Sequence, residues 1–587
     1  MGIELKTQQS NRKTFTSIPK MLSLMAIHWS KISKMKNGGK YFVLWLFLIT
    51  ICTQQGYSFT DPYPKNPKID AINYRFEIEL SDDTDEILGK TIVDVRFLAD
   101  SILSLRLDLI EKSRALENKG MSVTSVSSNG KAVAYKHEND ALFITLPSPS
   151  SKNQRSQFTI TYQGIPATGL IIANNKYEDR TFFSDNWPNK GRNWLPTIDH
   201  PYDKATCEFV VRAPAHYQVV SNGLKIEETD LATGKRLTHW KQSVPIAPWL
   251  YVLGVAKFAV EHVDDFQGKA IQTWVYYQDR EAGFYDFAEP TKKVLEFYSS
   301  YIGPFVYEKL ANIQSNSVGG GMEAASAILY GDRSVSGERN VRWRNIVIHE
   351  IAHQWFGNSV TEYDWDDVWL SEGFATYFTL LFIEHEYGRD AFLEGLESSK
   401  KRVDNFYQKN PAYRIVHDNL KDMTKVTSSQ TYQKGSWILH MLRGVVGTEN
   451  FWSGIQSYYR KYQNGSASTE DFRREMEEAS GKDLSTFFQQ WLYKGGTLAY
   501  AGNWQYDPIK KQVKIRLDQV QKDGSLFEMP LEIGIYFEGQ DRPQIALVEV
   551  KEKSTVLTIE VDAEPENIRL DPNTWVLMDV VGFGKSE

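Results

Sequence analysis

The stretch Val347-Ile348-His349-Glu350-Ile351-Ala352-His353-Gln354-Trp355-Phe356-Gly357 holds no Pro, and no Gly before its last residue, so it reads as a helix that stops at Gly357. Side chains four residues apart leave an α-helix about 40° apart around its axis. His349 and His353 therefore share one face, one turn apart, with Glu350 beside them. The order H-E-x-x-H is a zinc-binding arrangement in which the Glu moves protons rather than binding the ion. Residues 354 to 371, eighteen positions, separate His353 from Glu372. Glu372 lies in Val368-Trp369-Leu370-Ser371-Glu372-Gly373-Phe374-Ala375-Thr376-Tyr377, a second helical pattern, and Thr361–Asp367 before it is loop-like. Two helices joined this way can face each other and close a His-His-Glu site. Three protein ligands leave a fourth position open, as a catalytic zinc requires, whereas a structural zinc takes four. The alternative, a buried helix whose histidines are satisfied by neighbours, gives no reason for the third ligand.

A helix pair of this kind needs a large scaffold, and 587 residues at 41% hydrophobic and 13% aromatic suffice for three or four domains with cores. The formal charge of −7 argues against nucleic acid as a partner. With only Cys52 and Cys207, no disulfide framework is available.

Residues 1–40 carry eight Lys and Arg residues against the single acid Glu4, and Tyr41–Cys52 follow as a run of twelve mostly apolar residues. Twelve is short for a bilayer span but suits the core of a secretory signal. Met35 is the expected true start, and cleavage is expected after Ser58. Lipid attachment at Cys52 and an uncleaved membrane anchor are the alternatives. The chain is thus expected to be secreted or to lie in the periplasm or cell envelope.

Period-two alternation begins at Ile72, Tyr74, Phe76, Ile78 and Leu80 and recurs to about Val260, with turn signals at Ser128-Asn129-Gly130 and Ser221-Asn222-Gly223. This predicts an antiparallel β domain. Helical patterns dominate from Glu289-Pro290 through Leu492, and alternation returns from Leu498. The expected organisation is multidomain α+β: a leader over 1–60, an N-terminal β domain over 61–262, a mostly helical zinc domain over 263–490 and a C-terminal β-sandwich over 491–587.

Val318-Gly319-Gly320-Gly321-Met322-Glu323-Ala324 is the second chemical feature. Glycines let a backbone approach a ligand, and on a sheet edge they leave main-chain groups free to pair with a peptide. A lone glycine run is otherwise a flexible turn.

His349–Asn358 and Trp369–Phe378 together resemble the zinc aminopeptidases of peptidase family M1, which include aminopeptidase N and leukotriene hydrolase. The likeness extends from about residue 70 to the C-terminus. It implies a thermolysin-like zinc domain and one Zn²⁺ held by His349, His353 and Glu372, with Glu350 as general base. Zinc so held lowers the pKa of its water to about 7 and polarises a carbonyl. Gly320, Gly321, Met322 and Glu323 match the family's G-x-M-E-N motif, whose Glu binds the free α-ammonium of a peptide; the family Asn is Ala324 here. Tyr432, in Tyr432-Gln433-Lys434-Gly435, matches the Tyr whose phenol bonds the oxyanion. Relatives place a Gln five residues before an Arg to help hold the amine; counting back from Arg192 gives Trp187, and Asn186 beside it is the candidate replacement. The expected activity is removal of N-terminal residues from peptides with a free N-terminus. Epoxide hydrolysis would need a lipid-shaped tunnel, and a non-catalytic binding protein would not need the ligands. His200, His385 and His440 are expected to be structural or solvated.

Overall fold

The computed structural model describes residues 61–417 and 420–586, all within one compact unit. The leader, with its signal or anchor readings, lies outside the described residues.

The alternating stretches form an eight-stranded sheet. Its order is Leu224–Asp230, Lys235–Ile246, Ala205–Pro214, Ile69–Glu79, Ile87–Phe97, Arg155–Ile165, Gly120–Ser128 and Lys131–Ala132. One face is apolar: Tyr74, Phe76, Ile78, Val93 and Val95 are fully buried. The sheet departs from the expected antiparallel pattern at one pairing, where Ile69–Glu79 runs parallel to Ala205–Pro214. Alternation records which face is buried, not the direction of the neighbour, and the long chain between these two strands permits a crossover.

A five-stranded sheet follows, ordered Phe258–Phe266, Lys269–Tyr276, Lys309–Ser315, Ala327–Gly331 and Gly321–Met322. Phe258–Phe266 pairs with Lys269–Tyr276, so this strand, which a boundary at 262 would divide, belongs to the sheet that carries the glycine-rich segment. The same alternation serves both sheets, so periodicity alone does not mark where one gives way to the other. Gly321–Met322 forms the sheet edge, antiparallel to Ala327–Gly331.

The helices Thr291–Tyr301 and Val341–Ala352 pack against this sheet, and Trp369–Tyr387, Arg389–Tyr407, Gly435–Val446, Thr448–Tyr462, Thr469–Ser480 and Ser485–Leu492 follow them in the chain. Trp369–Tyr387 is apolar nearly all round, with fourteen buried residues, and so lies at the centre of the helical layer. Sheets of four and three strands from Leu498 onward make the C-terminal β domain.

Candidate active site

The helix Val341–Ala352 begins on Asn340, whose side chain accepts from Arg342 N. It ends sooner than the sequence suggests, with His353 as its C-cap. The next amides reach back only three residues, Gln354 N to Ile351 O (3.0 Å) and Trp355 N to Ala352 O (3.1 Å). Gly357, at φ +110°, then turns the chain. A Cβ there would stand 2.3 Å from Ser371 Oγ and 3.0 Å from His353 Nδ1, so both the conformation and the close approach demand glycine. His353 Nδ1 lies 3.1 Å from Phe356 O and 3.1 Å from Ser371 Oγ, which turns its Nε2 into the cleft.

There the two imidazole Nε2 atoms are 3.1 Å apart, and Glu372 Oε2 is 3.4 Å from His349 and 3.3 Å from His353. A tetrahedral ion with zinc–nitrogen and zinc–oxygen bonds of about 2.0–2.2 Å has ligand–ligand edges of about 3.3–3.6 Å. The two edges to Glu372 fall in that range and the 3.1 Å edge between the imidazoles is about 0.2 Å short of it, so the donor set has the span and chemistry of a zinc site. Glu372 Oε2 is buried with no hydrogen-bond partner, an orphan that a cation would satisfy. Burial alone would raise the Glu372 pKa, but the closeness of the His349 and His353 rings holds it near 2. Burial acts to lower that of His353, yet the Glu323, Glu372 and Glu350 carboxylates raise it to about 10. The carboxyl groups around His353 thus favour positive charge in the pocket.

Glu350 is 6% exposed, and burial, reinforced by the neighbouring Glu323, pushes its pKa well above the carboxylate range. Its carboxyl group lies directly beneath Gly321, where a Cβ would meet Oε1 at 2.2 Å. A side chain at 321 would displace that carboxyl, on which the edge strand rests. Glu323, also 6% exposed, shares a cluster with Glu350 and His353 whose ligand atoms lie within 4.8 Å of one another. Its Oε1 has no partner, and burial raises its pKa to about 7. Gln354 Nε2 (3.0 Å) and Asn358 Nδ2 (2.6 Å) both donate to Glu323 O. Tyr432 sits in a π-helical turn, Gln430–Lys434, ahead of the helix Gly435–Val446. Its hydroxyl donates to Glu372 Oε1 at 2.7 Å, and its ring lies 6.0 Å from that of His349. Burial, then Glu372, raises its pKa well above 10, so it stays a donor.

The structure thus brings together His349, Glu350, His353, Glu372, Glu323, Tyr432 and the Gly320–Met322 edge. Asn186 is different. Its Nδ2 donates to Tyr251 O (2.7 Å) and its Oδ1 accepts from Trp194 Nε1 (2.9 Å), so both ends of the amide serve the β domain rather than a ligand. Trp187 packs edge-on against Trp249 and Trp365, at 4.7 and 5.2 Å. His200 is buried against Asp61 (2.7 Å), His440 is buried, and His385 is exposed. Sequence reasoning missed Gln354, Asn358 and Ser371. All three lie in or beside the two motifs, but their contacts depend on how separate segments meet.

Residues 70–250 match the Peptidase M1 N-terminal domain, and residues 287–491 match the Peptidase family M1 domain. The chain is 28% identical over 400 residues to probable aminopeptidase 2 of Sulfurisphaera tokodaii, covering 65% of this chain and 50% of that protein. It is 30% identical over 327 residues to human glutamyl aminopeptidase, covering 53% and 34%. The chain therefore spans half or less of the length of these two relatives. The fold matches the M1 zinc metallopeptidase from Deinococcus radiodurans with a TM-score of 0.62 at 22% identity, over 72% of this chain and 93% of that one. With both consecutive domains matched, and a His-His-Glu site at the centre of the second, the chain belongs to peptidase family M1.

Proposed function

We propose that this protein is a zinc-dependent aminopeptidase that removes the N-terminal residue from peptides. The observation that carries the reading is the buried, unpartnered carboxylate of Glu323, set beside Glu350 and His353. An ammonium is the natural partner for such a group, and a walled-in anion next to the reacting centre accepts a chain end rather than a chain middle.

His349, His353 and Glu372 would hold the ion. The chemistry zinc supplies when bound is Lewis acidity, polarising a carbonyl and acidifying water. Glu350, set beside His353 in the cleft, takes up the proton of the attacking water and returns it to the leaving amine. Tyr432 directs its hydroxyl into the same cleft and is assigned to the oxyanion of the tetrahedral intermediate. Gly320–Met322 offers a free strand edge along which the peptide main chain pairs. Glu323→Ala tests the reading: binding of free-amine peptides should weaken by at least about tenfold. Equal cleavage of free and N-blocked peptides by variant and wild type would sink it. The basic leader and its apolar run support export to the cell envelope or beyond, which fractionation of the native protein would check; recovery only from the cytosol would refute it.

A further inference from the structure

Glu323 is held in an unusual way. Its Oε1 has no hydrogen-bond partner, so the position of this carboxylate is set mainly through its main chain. That main chain is fixed at Glu323 O by Gln354 Nε2 and Asn358 Nδ2. Asn358 lies beyond the Gly357 turn, outside the zinc helix, and its Oδ1 also has no partner. The helix end holds only the main-chain N of Asn358, which donates to His353 O (3.0 Å); its carbonyl takes its support from elsewhere.

That support comes from the N-terminal β domain. Lys204 reaches across to the segment after the turn, and its Nζ lies 2.9 Å from Asn358 O, 2.9 Å from Ser359 O, 2.9 Å from Thr361 Oγ1 and 3.0 Å from Gly465 O. Four oxygens around one ammonium exceed its three protons, which makes this a cage for a point charge rather than a chance contact. Asn358 and Ser359 are fully buried, so no water can replace the lysine at their carbonyls without opening the segment. The same domain braces the other side of Glu323. Asn222 Nδ2 donates to Ala325 O (2.7 Å), and Gly223 N donates to Ser326 Oγ (2.8 Å). The turn Ser221-Asn222-Gly223 is thus also an interdomain brace.

We propose that Lys204 is a positioning residue for the amine anchor: without touching substrate, it fixes the place of Glu323 through Asn358. The inference rests on the aminopeptidase reading of Glu323. Lys204 caging of the Asn358–Thr361 segment sets the Asn358 amide, the amide sets Glu323 O, and that sets where the carboxylate meets the α-ammonium. An aminopeptidase on this plan needs both domains to measure off one residue.

The test uses two zinc-directed hydroxamates, identical except that one carries a free α-amine, and compares their Ki values on the full-length, zinc-loaded protein. Lys204→Met should lower the preference for the amine-bearing compound by about tenfold, with the amine-less compound and the zinc content nearly unchanged. Lys204→Arg, which keeps charge and donors, should recover part of the preference. Asn358→Ala cuts the same path one step nearer and should reproduce the loss, which decides the matter if Lys204→Met does not fold. Retention of the full preference in both variants overturns the proposal, as does an equal loss for both inhibitors. Absence of any amine preference in the wild type would overturn the anchor itself, and this inference with it.

Discussion

Replacing Gly321 by alanine separates catalysis from stability in this site. The added methyl would lie 2.2 Å from Glu350 Oε1, 2.3 Å from Cδ and 2.4 Å from Cγ, where ordinary contact begins at 3.4 Å. One partner must move by about 1 Å, a displacement that costs on the order of 100-fold in rate when it falls on a reacting group. The strand is the less mobile partner. Gly321 and Met322 pair with Tyr330 and Leu329, and Gly331 N donates to Gly320 O at 2.8 Å. The Glu350 carboxyl, at the end of a jointed side chain, is therefore displaced. A 100-fold fall in kcat corresponds to about 2.7 kcal/mol of lost transition-state stabilisation. The stability cost is that of a single overpacked methyl, about 1–3 kcal/mol and less if the carboxyl yields freely. Zinc should remain, because the three atoms nearest the added methyl belong to Glu350 and not to a ligand. Steady-state kinetics on an aminoacyl anilide, with metal analysis and thermal denaturation on the same preparation, would measure each quantity. A variant with kcat within about twofold of wild type would refute the placement of Glu350 as the proton-moving group under that strand.

Two further outcomes follow from the same geometry. Glu350→Gln keeps the ligand set and should retain zinc by elemental analysis while kcat drops by about 10²–10⁴, the worth of a general base; robust turnover would remove Glu350 from that role. His440 donates to Thr574 O (2.8 Å) and accepts from Tyr377 Oη (3.1 Å), and burial lowers its pKa to about 3. The unfolded imidazole binds a proton below about pH 6.5 and the folded one does not until about 3, so stability falls with falling pH across that window, by about 1.4 kcal/mol per unit. His440→Gln should show a shallower loss of thermal stability from pH 7 to 5, and a parallel slope would refute the assignment.

The chemistry of this protein was largely legible in its residues. His349, Glu350 and His353 meet because a helix repeats every 3.6 residues, a local rule that holds before any tertiary contact forms. The β-to-helix-to-β order was legible for a similar reason, since hydrophobic period reports which face of an element is buried. Glycine at 357 and 321 was visible as composition, but what a side chain there would displace was not, because Ser371 and Glu350 come from other segments.

What the tertiary structure alone decided is everything that depends on meetings across the chain. Sequence alternation could not say that Ile69–Glu79 and Ala205–Pro214 run parallel, or that Phe258–Phe266 joins the second sheet, because direction and partner leave no periodic trace. Asn186 looked like an amine ligand from its place near Arg192, yet the fold commits its amide to Tyr251 and Trp194. Lys204 carried no signal at all, since its role lies in four oxygens supplied by two distant segments. Local spacing determines which groups one helix can present together; only packing between segments determines what holds those groups in place.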